Sequence, residues 1–201
     1  MERALTRGLK KVMTGKKSKR LRKSLRKAGK VNEKLIYALT FLLRFCVLAI
    51  PLYLVLWLGA DFSALQKIVT GNVLAMLPLF GVSASADGFD IITNTAVPVI
   101  VNISPDCTGW KSVLAYAALV LAVPNIPTRR RALGLSGALI IHALNVLRIS
   151  SLIWIEIKYG VETFLSAHTF LLKLGFPAAI LLVWLCWLFL ADESKAYMKR
   201  K

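Results

Sequence analysis

Three polar side chains stand out in this apolar sequence because their types together suit nucleophilic chemistry. Cys107 lies in the segment SPDCTGW, Arg148 lies within the run GALIIHALNVLRISSLIWIEI, and His168 lies in LSAHTFLLK at the start of another apolar run. A thiolate can attack a peptide carbonyl, and an imidazole can take up the thiol proton and later return it to the leaving amine. An arginine, which is always charged, can stabilise the oxyanion that forms. This chemistry requires a fold that brings the three residues together.

Cys107 differs from the other two cysteines in its surroundings. Cys46 and Cys186 lie inside apolar runs, and three cysteines at unrelated spacings indicate neither a disulfide framework nor a metal site. Cys107 instead directly precedes an apolar run, so it is the candidate nucleophile. From this segment alone, a small residue in a loop is the alternative interpretation.

The residues around Cys107 predict the start of a helix. Ser104 can be the N-cap with Pro105 at the first helical position, or Thr108 can cap a helix that begins slightly later. Either arrangement places the thiol near the positive end of a helix dipole, which favours the thiolate. The negative charge of Asp106 opposes that effect.

Arg148 is the least expected of the three residues because an ionisable side chain inside a membrane helix is energetically expensive. At about 1.5 Å rise per residue, it lies roughly 9–16 Å below the outer end of its helix, so its long side chain can approach the level of Cys107. Asn145 precedes Arg148 by three residues and shares its helix face. His142 lies deeper still, too far from Cys107 to serve it. A purely structural pairing of Arg148 with Glu156 is the alternative.

The composition indicates which elements must position these residues. The chain of 201 residues is 57% hydrophobic, more than a soluble domain of this length can bury, and several runs approach the roughly 20 residues that cross a bilayer. We predict an all-α membrane protein, a polytopic bundle of about four spanning helices with one interfacial helix and a small extracytoplasmic hairpin. The predicted spans are 35–58, 108–124, 132–157 and 169–190, the interfacial helix is 62–80, and the extended segment is 81–104.

The charges predict the orientation of this bundle. Residues 1–34 carry 14 of the 27 Lys and Arg residues and only two acids, which gives that segment a charge of +12. The positive-inside rule therefore places the tail 1–33, the Arg129–Arg131 loop and the carboxyl-terminal segment 193–201 in the cytoplasm. The membrane domain 34–192 then presents Cys107 and His168 on the extracytoplasmic side of the plasma membrane.

The basic tail and Arg44 can both be explained by contacts with the membrane surface. The tail 1–33 is expected to lie on anionic lipid headgroups, and no nucleic-acid binding is expected because no aromatic residue interrupts the basic run. Arg44 lies within the first predicted span. It either snorkels to the cytoplasmic surface or belongs to an internal polar site.

The order of these motifs resembles the exosortase/archaeosortase family. The resemblance rests on Cys107-Thr108-Gly109 at a helix start, then Asn145-Val146-Leu147-Arg148-Ile149 in a membrane helix, then His168 at the start of the last helix, and it covers about residues 60–190. It implies a polytopic cysteine transpeptidase with Cys107 as nucleophile, Arg148 stabilising the oxyanion or substrate, and His168 as general acid and base. Thr108, Gly109 and Asn145 are the supporting residues.

The resemblance also implies partners. Members of this family act on secreted proteins that carry a carboxyl-terminal sorting signal, made of a short motif, a membrane helix and a basic cluster. The thioester formed at the cysteine would be resolved by an amine-bearing acceptor, with a lipid headgroup as the expected source. No metal or cofactor is implied.

The alternative function is a non-enzymatic membrane protein, such as a scaffold or a transporter subunit. Serine hydrolase and zinc protease chemistry lack support, since the sequence contains neither G-x-S-x-G nor H-E-x-x-H.

Overall fold

Helices dominate the chain, as the apolar composition predicts. The computed structural model describes residues 16–198. The helices are α1 (Lys16–Trp57), α2 (Ser63–Met76), α3 (Trp110–Ala122), α4 (Thr128–Leu135), α5 (Gly137–Tyr159), α6 (Val161–Phe170) and α7 (Phe176–Met198). Single 3₁₀ turns cover Leu77–Phe80 and Pro105–Thr108, and a π turn, Leu171–Gly175, joins α6 to α7. The all-α polytopic fold class is therefore confirmed.

Within residues 16–198, the chain up to Arg44 and the chain from Phe45 onward belong to two separate compact units. In the first unit, the described chain is the amino-terminal part of α1, in which Leu35, Leu39 and Leu43 are exposed, as in a helix that faces lipid. Arg44 is also exposed, which favours the snorkelling interpretation. The first half of the predicted basic tail, residues 1–15, and the Lys199–Lys201 cluster lie outside the described residues.

Within residues 16–198, four helical segments are long and apolar enough to cross a membrane: Val31–Pro51, Ser63–Phe80, Thr128–Tyr159 and Val161–Ala191. The number agrees with the prediction, but the set does not. Ser63–Phe80 was predicted to be interfacial, and it has the length and composition of a span. Conversely, the predicted span 108–124 contains only the 13-residue helix Trp110–Ala122, which is about 20 Å long.

Local backbone chemistry explains both corrections. In α2, the polar residues Gln66 and Thr70 are buried against the protein, so they do not form the headgroup-facing stripe of an interfacial helix. In α3, Gly109 has φ 76°, a left-handed conformation that ends the preceding turn and delays the start of the helix to Trp110. The helix ends where Val123 becomes extended before Pro124.

Helices α3, α5 and α7 pack side by side, with α5 antiparallel to both neighbours. Near one end of the bundle, the Tyr116 hydroxyl donates to the Gly134 carbonyl at 2.8 Å. The Arg131 guanidinium donates to the Val123 carbonyl at 3.1 Å, and the Arg130 guanidinium donates to the Ala191 carbonyl. Arg131 of the predicted cytoplasmic loop therefore caps the carboxyl end of α3, and Arg130 ties the same loop to the backbone of α7.

A small antiparallel sheet precedes the Cys107 turn. Its strands are β1 (Ala84–Asp87), β2 (Asp90–Thr93) and β3 (Ile100–Asn102), in the order β1-β2-β3. The segment 81–104 was correctly predicted to be extended and to form a hairpin, since β2 and β3 pair antiparallel on either side of residues 94–99. The sequence missed β1, which joins β2 through a tight turn at Gly88, whose φ is +63°.

One face of this sheet packs on α2 and α5. Ile91 and Ile103 belong to the same buried cluster as Val146, Ile149 and Ile153 of α5. The sheet therefore fixes the position of the chain that leads into Cys107.

Candidate active site

The turn that carries Cys107 is a separate element in front of α3. Ser104 caps the 3₁₀ turn Pro105–Thr108 with Pro105 at its first position, but the Ser104 side chain makes no capping bond. The prediction of Ser104 as N-cap with Pro105 at the first helical position is confirmed for this short turn. Neither Ser104 nor Thr108 caps the long helix, because Gly109 separates the turn from α3. Cys107 lies three residues before α3, so the dipole of that helix favours the thiolate less than expected.

Asn145 ties this turn to α5. Its side-chain amide donates to the Cys107 carbonyl at 2.8 Å, and only 1% of Asn145 is exposed. A Cβ on Gly109 would lie 2.9 Å from the Asn145 side chain, so glycine is required both by this approach and by the positive φ. Thr108 is buried, and its hydroxyl closes the turn by donating to the Pro105 carbonyl at 2.7 Å. All three predicted supporting residues thus contribute to one local structure.

Two contacts define the environment of the half-buried Cys107 thiol. The Ser104 hydroxyl donates to the Cys107 sulfur at 3.3 Å, an interaction that can stabilise a thiolate. The carboxylate of Asp106, expected to oppose the thiolate, forms an ion pair with Lys111 at 2.7 Å. Because Lys111 offsets that negative charge, the electrostatic objection to a thiolate at Cys107 is weaker than the sequence suggested.

Arg148 is buried with no acidic partner among residues 16–198. Only 9% of the residue is exposed, and its Nε has no hydrogen-bond acceptor in this part of the chain. The guanidinium lies over the Phe176 ring, with 5.1 Å between Cζ and the ring centroid. The alternative ion pair with Glu156 is not formed. A buried guanidinium without an acidic partner is suited to stabilise an anion that forms next to it, such as an oxyanion.

Arg148 lies at the midpoint of α5, about 16 Å from the end of that helix at Tyr159, which is the deep limit of the range expected from the sequence. The Cys107 turn reaches down to the same level, as its bond to Asn145 shows.

The sequence predicted that His168 opens the last helix, and this prediction is wrong. That helical segment begins at Val161, so His168 lies in its third turn, just before the π turn. The His168 ring stacks on Phe164, with 5.8 Å between ring centroids. The spacing of four residues on a helix could have predicted this contact from the sequence.

The π turn determines which residues share a face with His168. The Phe176 N–H donates to the Leu171 carbonyl, five residues earlier, which is the hydrogen bond that defines a π turn. Pro177 has no N–H and its ring crowds the carbonyl four residues earlier, so the sequence itself disfavours a regular α-helix here.

The consequence of the π turn is geometric. In a regular α-helix, the eight residues from His168 to Phe176 would turn by about 800°, leaving the two side chains roughly 80° apart. A π turn accommodates one extra residue, so the rotation falls to about 700° and the two side chains share a face. His168 and Phe176 can therefore both face α5 near Arg148.

Cys107, Arg148 and His168 line a single cavity of about 210 Å³. The structure thus brings together the three residues that the sequence singled out, from three different elements. The remaining lining residues come from β3 and the residue after it, from α5 and from α6: Val101, Asn102, Ile103, Ile149, Leu152, Ile153 and Phe164.

His142 is excluded from this cavity, as its depth on α5 predicted. It lies about 9 Å further along the helix than Arg148 and bonds to the Asn72 side chain at 3.0 Å.

Sequence reasoning missed the thiol contact of Ser104, the aromatic partners of His168 and Arg148, and the part of β3 that lines the cavity.

Comparison with known proteins agrees with the motif order. A family model described as transmembrane exosortase matches residues 31–185, about three quarters of the chain. No curated protein and no solved structure matches this sequence.

Proposed function

The chain belongs to the transmembrane exosortase family, and on that premise we propose that it is a membrane cysteine transpeptidase with Cys107, Arg148 and His168 as its catalytic residues. The observation that carries the proposal is the shared cavity, which is lined by a half-buried thiol, an imidazole and a buried guanidinium whose Nε has no hydrogen-bond partner within residues 16–198. Membership of this family supports a membrane transpeptidase in general. The residue roles, substrate and acceptor are the finer parts of the proposal.

The proposed reaction begins when the Cys107 thiol transfers its proton to His168 and the sulfur attacks the scissile carbonyl carbon. The negative charge that develops on the carbonyl oxygen is stabilised by the guanidinium of Arg148. The tetrahedral intermediate collapses with cleavage of the C–N bond, and His168 returns the proton to the leaving amine. The product is a thioester on Cys107.

An acceptor amine then attacks the thioester. His168 removes its proton and delivers it to the departing sulfur, so the enzyme regains its thiol. The aliphatic lining of the cavity supports this second step, because a low-dielectric site keeps out the water that would otherwise hydrolyse the thioester.

The proposed substrates are secreted proteins with a carboxyl-terminal motif, a membrane helix and a basic cluster, and the proposed acceptor is a lipid headgroup amine. We place both termini in the cytoplasm and the cavity on the extracytoplasmic side, an orientation supported by the basic loops. It requires that α1, α3, α5 and α7 cross the membrane and that α2, although long and apolar enough, does not. The tail 1–33 would contact anionic headgroups.

The test is co-expression with a candidate secreted protein of this kind from the same organism, followed by measurement of precursor size. Wild type should shorten the precursor, whereas Cys107→Ala and Arg148→Ala should leave it at full length. Cys46→Ala and Cys186→Ala are matched controls, since both cysteines are exposed, lie outside the cavity and should be dispensable. Unchanged processing by both cavity variants would refute the enzyme and favour the alternative, a non-enzymatic scaffold or transporter subunit.

A further inference from the structure

The edge of the small sheet borders the candidate active site. Because the strand order is β1-β2-β3, strand β3 has a paired neighbour on one side only within the described part of the chain, residues 16–198. Two of its three residues, Val101 and Asn102, line the same cavity as Cys107. An unpaired edge strand presents backbone N–H and C=O groups that readily pair with another extended chain.

The register identifies which backbone groups are unpaired. Thr93 donates to the Val99 carbonyl and Ile103 donates to the Phe89 carbonyl, so residues 99, 101 and 103 point their backbone groups toward β2. In an antiparallel pair the intervening residues point the other way. The N–H and C=O of Ile100 and the N–H of Asn102 therefore face outward, and no bond to them is formed within residues 16–198.

The side chains of β3 alternate between a buried face and an exposed face. Ile103 is buried, and Val101 packs against the core cluster that includes α5. Ile100 is 65% exposed and Asn102 is exposed on the opposite face. A chain that paired with β3 would therefore send every second side chain toward the cavity of Cys107 and Arg148.

From these observations we propose that the substrate segment around the scissile bond docks as a fourth strand on β3. The ligand is an extended peptide, bound through its main chain at Ile100 and Asn102, with alternate side chains entering the cavity. This inference rests on the proposed function, because it assumes that Cys107, five residues beyond the strand, attacks the docked peptide. It explains why a largely helical protein keeps a sheet directly in front of its cysteine.

Main-chain pairing predicts a specific effect of proline. Ile100→Pro removes an outward N–H without removing a bond to β2, and edge positions tolerate proline. The initial rate of precursor processing in a pulse-chase experiment should fall about fivefold, the effect of one net hydrogen bond. Ile100→Ala, which keeps the N–H, should process the precursor several times faster than Ile100→Pro. Equal rates for Ile100→Pro and wild type would overturn the proposal.

A folding defect in Ile100→Pro would mimic the expected loss, so a second measurement uses cross-linking. The enzyme carries Cys107→Ala, Cys46→Ser and Cys186→Ser, with one new cysteine at Ile100. The precursor carries single cysteines at eight successive positions before its membrane helix. Pairing with β3 predicts disulfides at every second precursor position. Val97→Cys in the same background is the matched control: it is 79% exposed but precedes β3, and it should give no alternation.

Three results would overturn the docking site. They are uniform cross-linking along the precursor, no cross-linking at all, and an enzyme–enzyme disulfide through residue 100, which would assign the edge to a second copy of this chain. Cys107-dependent processing of the same precursor is established beforehand. Its absence refutes the proposed function, whereas intact processing without alternation refutes the strand docking alone.

Discussion

Deletion of Leu172 tests whether the π turn positions His168. The turn Leu171–Gly175 contains one residue more than an α-helix would need, so removing one residue restores a regular helix. The segment on one side of the deletion must then rotate by about 100° relative to the other. For a side chain about 5–6 Å from the helix axis, this rotation moves its tip by roughly 8 Å. His168 and Phe176 could then no longer both face α5.

The expected result is a loss of precursor processing of about 10²–10⁴-fold, the range for removing a general acid and base. Leu172→Ala keeps the residue count and is the matched control, expected to stay within about threefold of wild type. Labelling of Cys107 by a small thiol reagent should persist in the deletion variant, because the turn that carries the cysteine belongs to other elements.

A double-mutant cycle separates positioning from general destabilisation. If the deletion acts by displacing His168, adding His168→Ala to it should cause little further loss. A deletion variant that processes at nearly the wild-type rate would refute the geometric reasoning, as would a further tenfold loss on adding His168→Ala.

Two further substitutions test other parts of the site. Gly109→Ala and Gly88→Ala both place a Cβ at positive φ, which costs roughly 1–2 kcal/mol, but only the new Cβ at residue 109 would meet Asn145 at 2.9 Å. Thermal unfolding in detergent should therefore show a larger fall in midpoint for Gly109→Ala, and equal shifts would contradict the close approach. His142→Ala should process the precursor within about threefold of wild type, because His142 lies outside the cavity, whereas His168→Ala should lose about 10²–10⁴-fold. The reverse order of these two variants would reassign the general base.

Residue chemistry along the sequence was sufficient to select the candidate site. A cysteine outside the apolar runs, an arginine inside one and a histidine at the edge of another are each costly or unusual at their positions, and such residues can be recognised without coordinates. The fold class was equally accessible, because length and hydrophobic content exclude a soluble domain and favour a helical bundle. The supporting roles of Asn145 and Gly109 were also predicted, from the order of the motifs.

The boundaries of the elements were harder to predict because they depend on tertiary contacts. Polar residues in 62–80 suggested an interfacial helix, but Gln66 donates to the Ile103 carbonyl and is buried. Hydropathy cannot tell whether a polar side chain meets water or a partner from a distant segment. The sequence was interpreted as one helix through Gly109, whereas its positive φ separates the Cys107 turn from α3, and its lack of a Cβ leaves room for the Asn145 side chain.

The sequence by itself determined the membrane fold class and the three residues that could do chemistry, because both follow from side-chain type and local pattern. Only the tertiary structure decided that Cys107, Arg148 and His168 share a cavity, that a π turn sets the face presented by His168, and that β3 has a free edge beside the thiol. The physical reason is that helix rotation and strand pairing are set by contacts between distant segments. A shift by one residue turns a side chain by about 100° on a helix or about 180° on a strand, and this rotation decides which side chains are in contact.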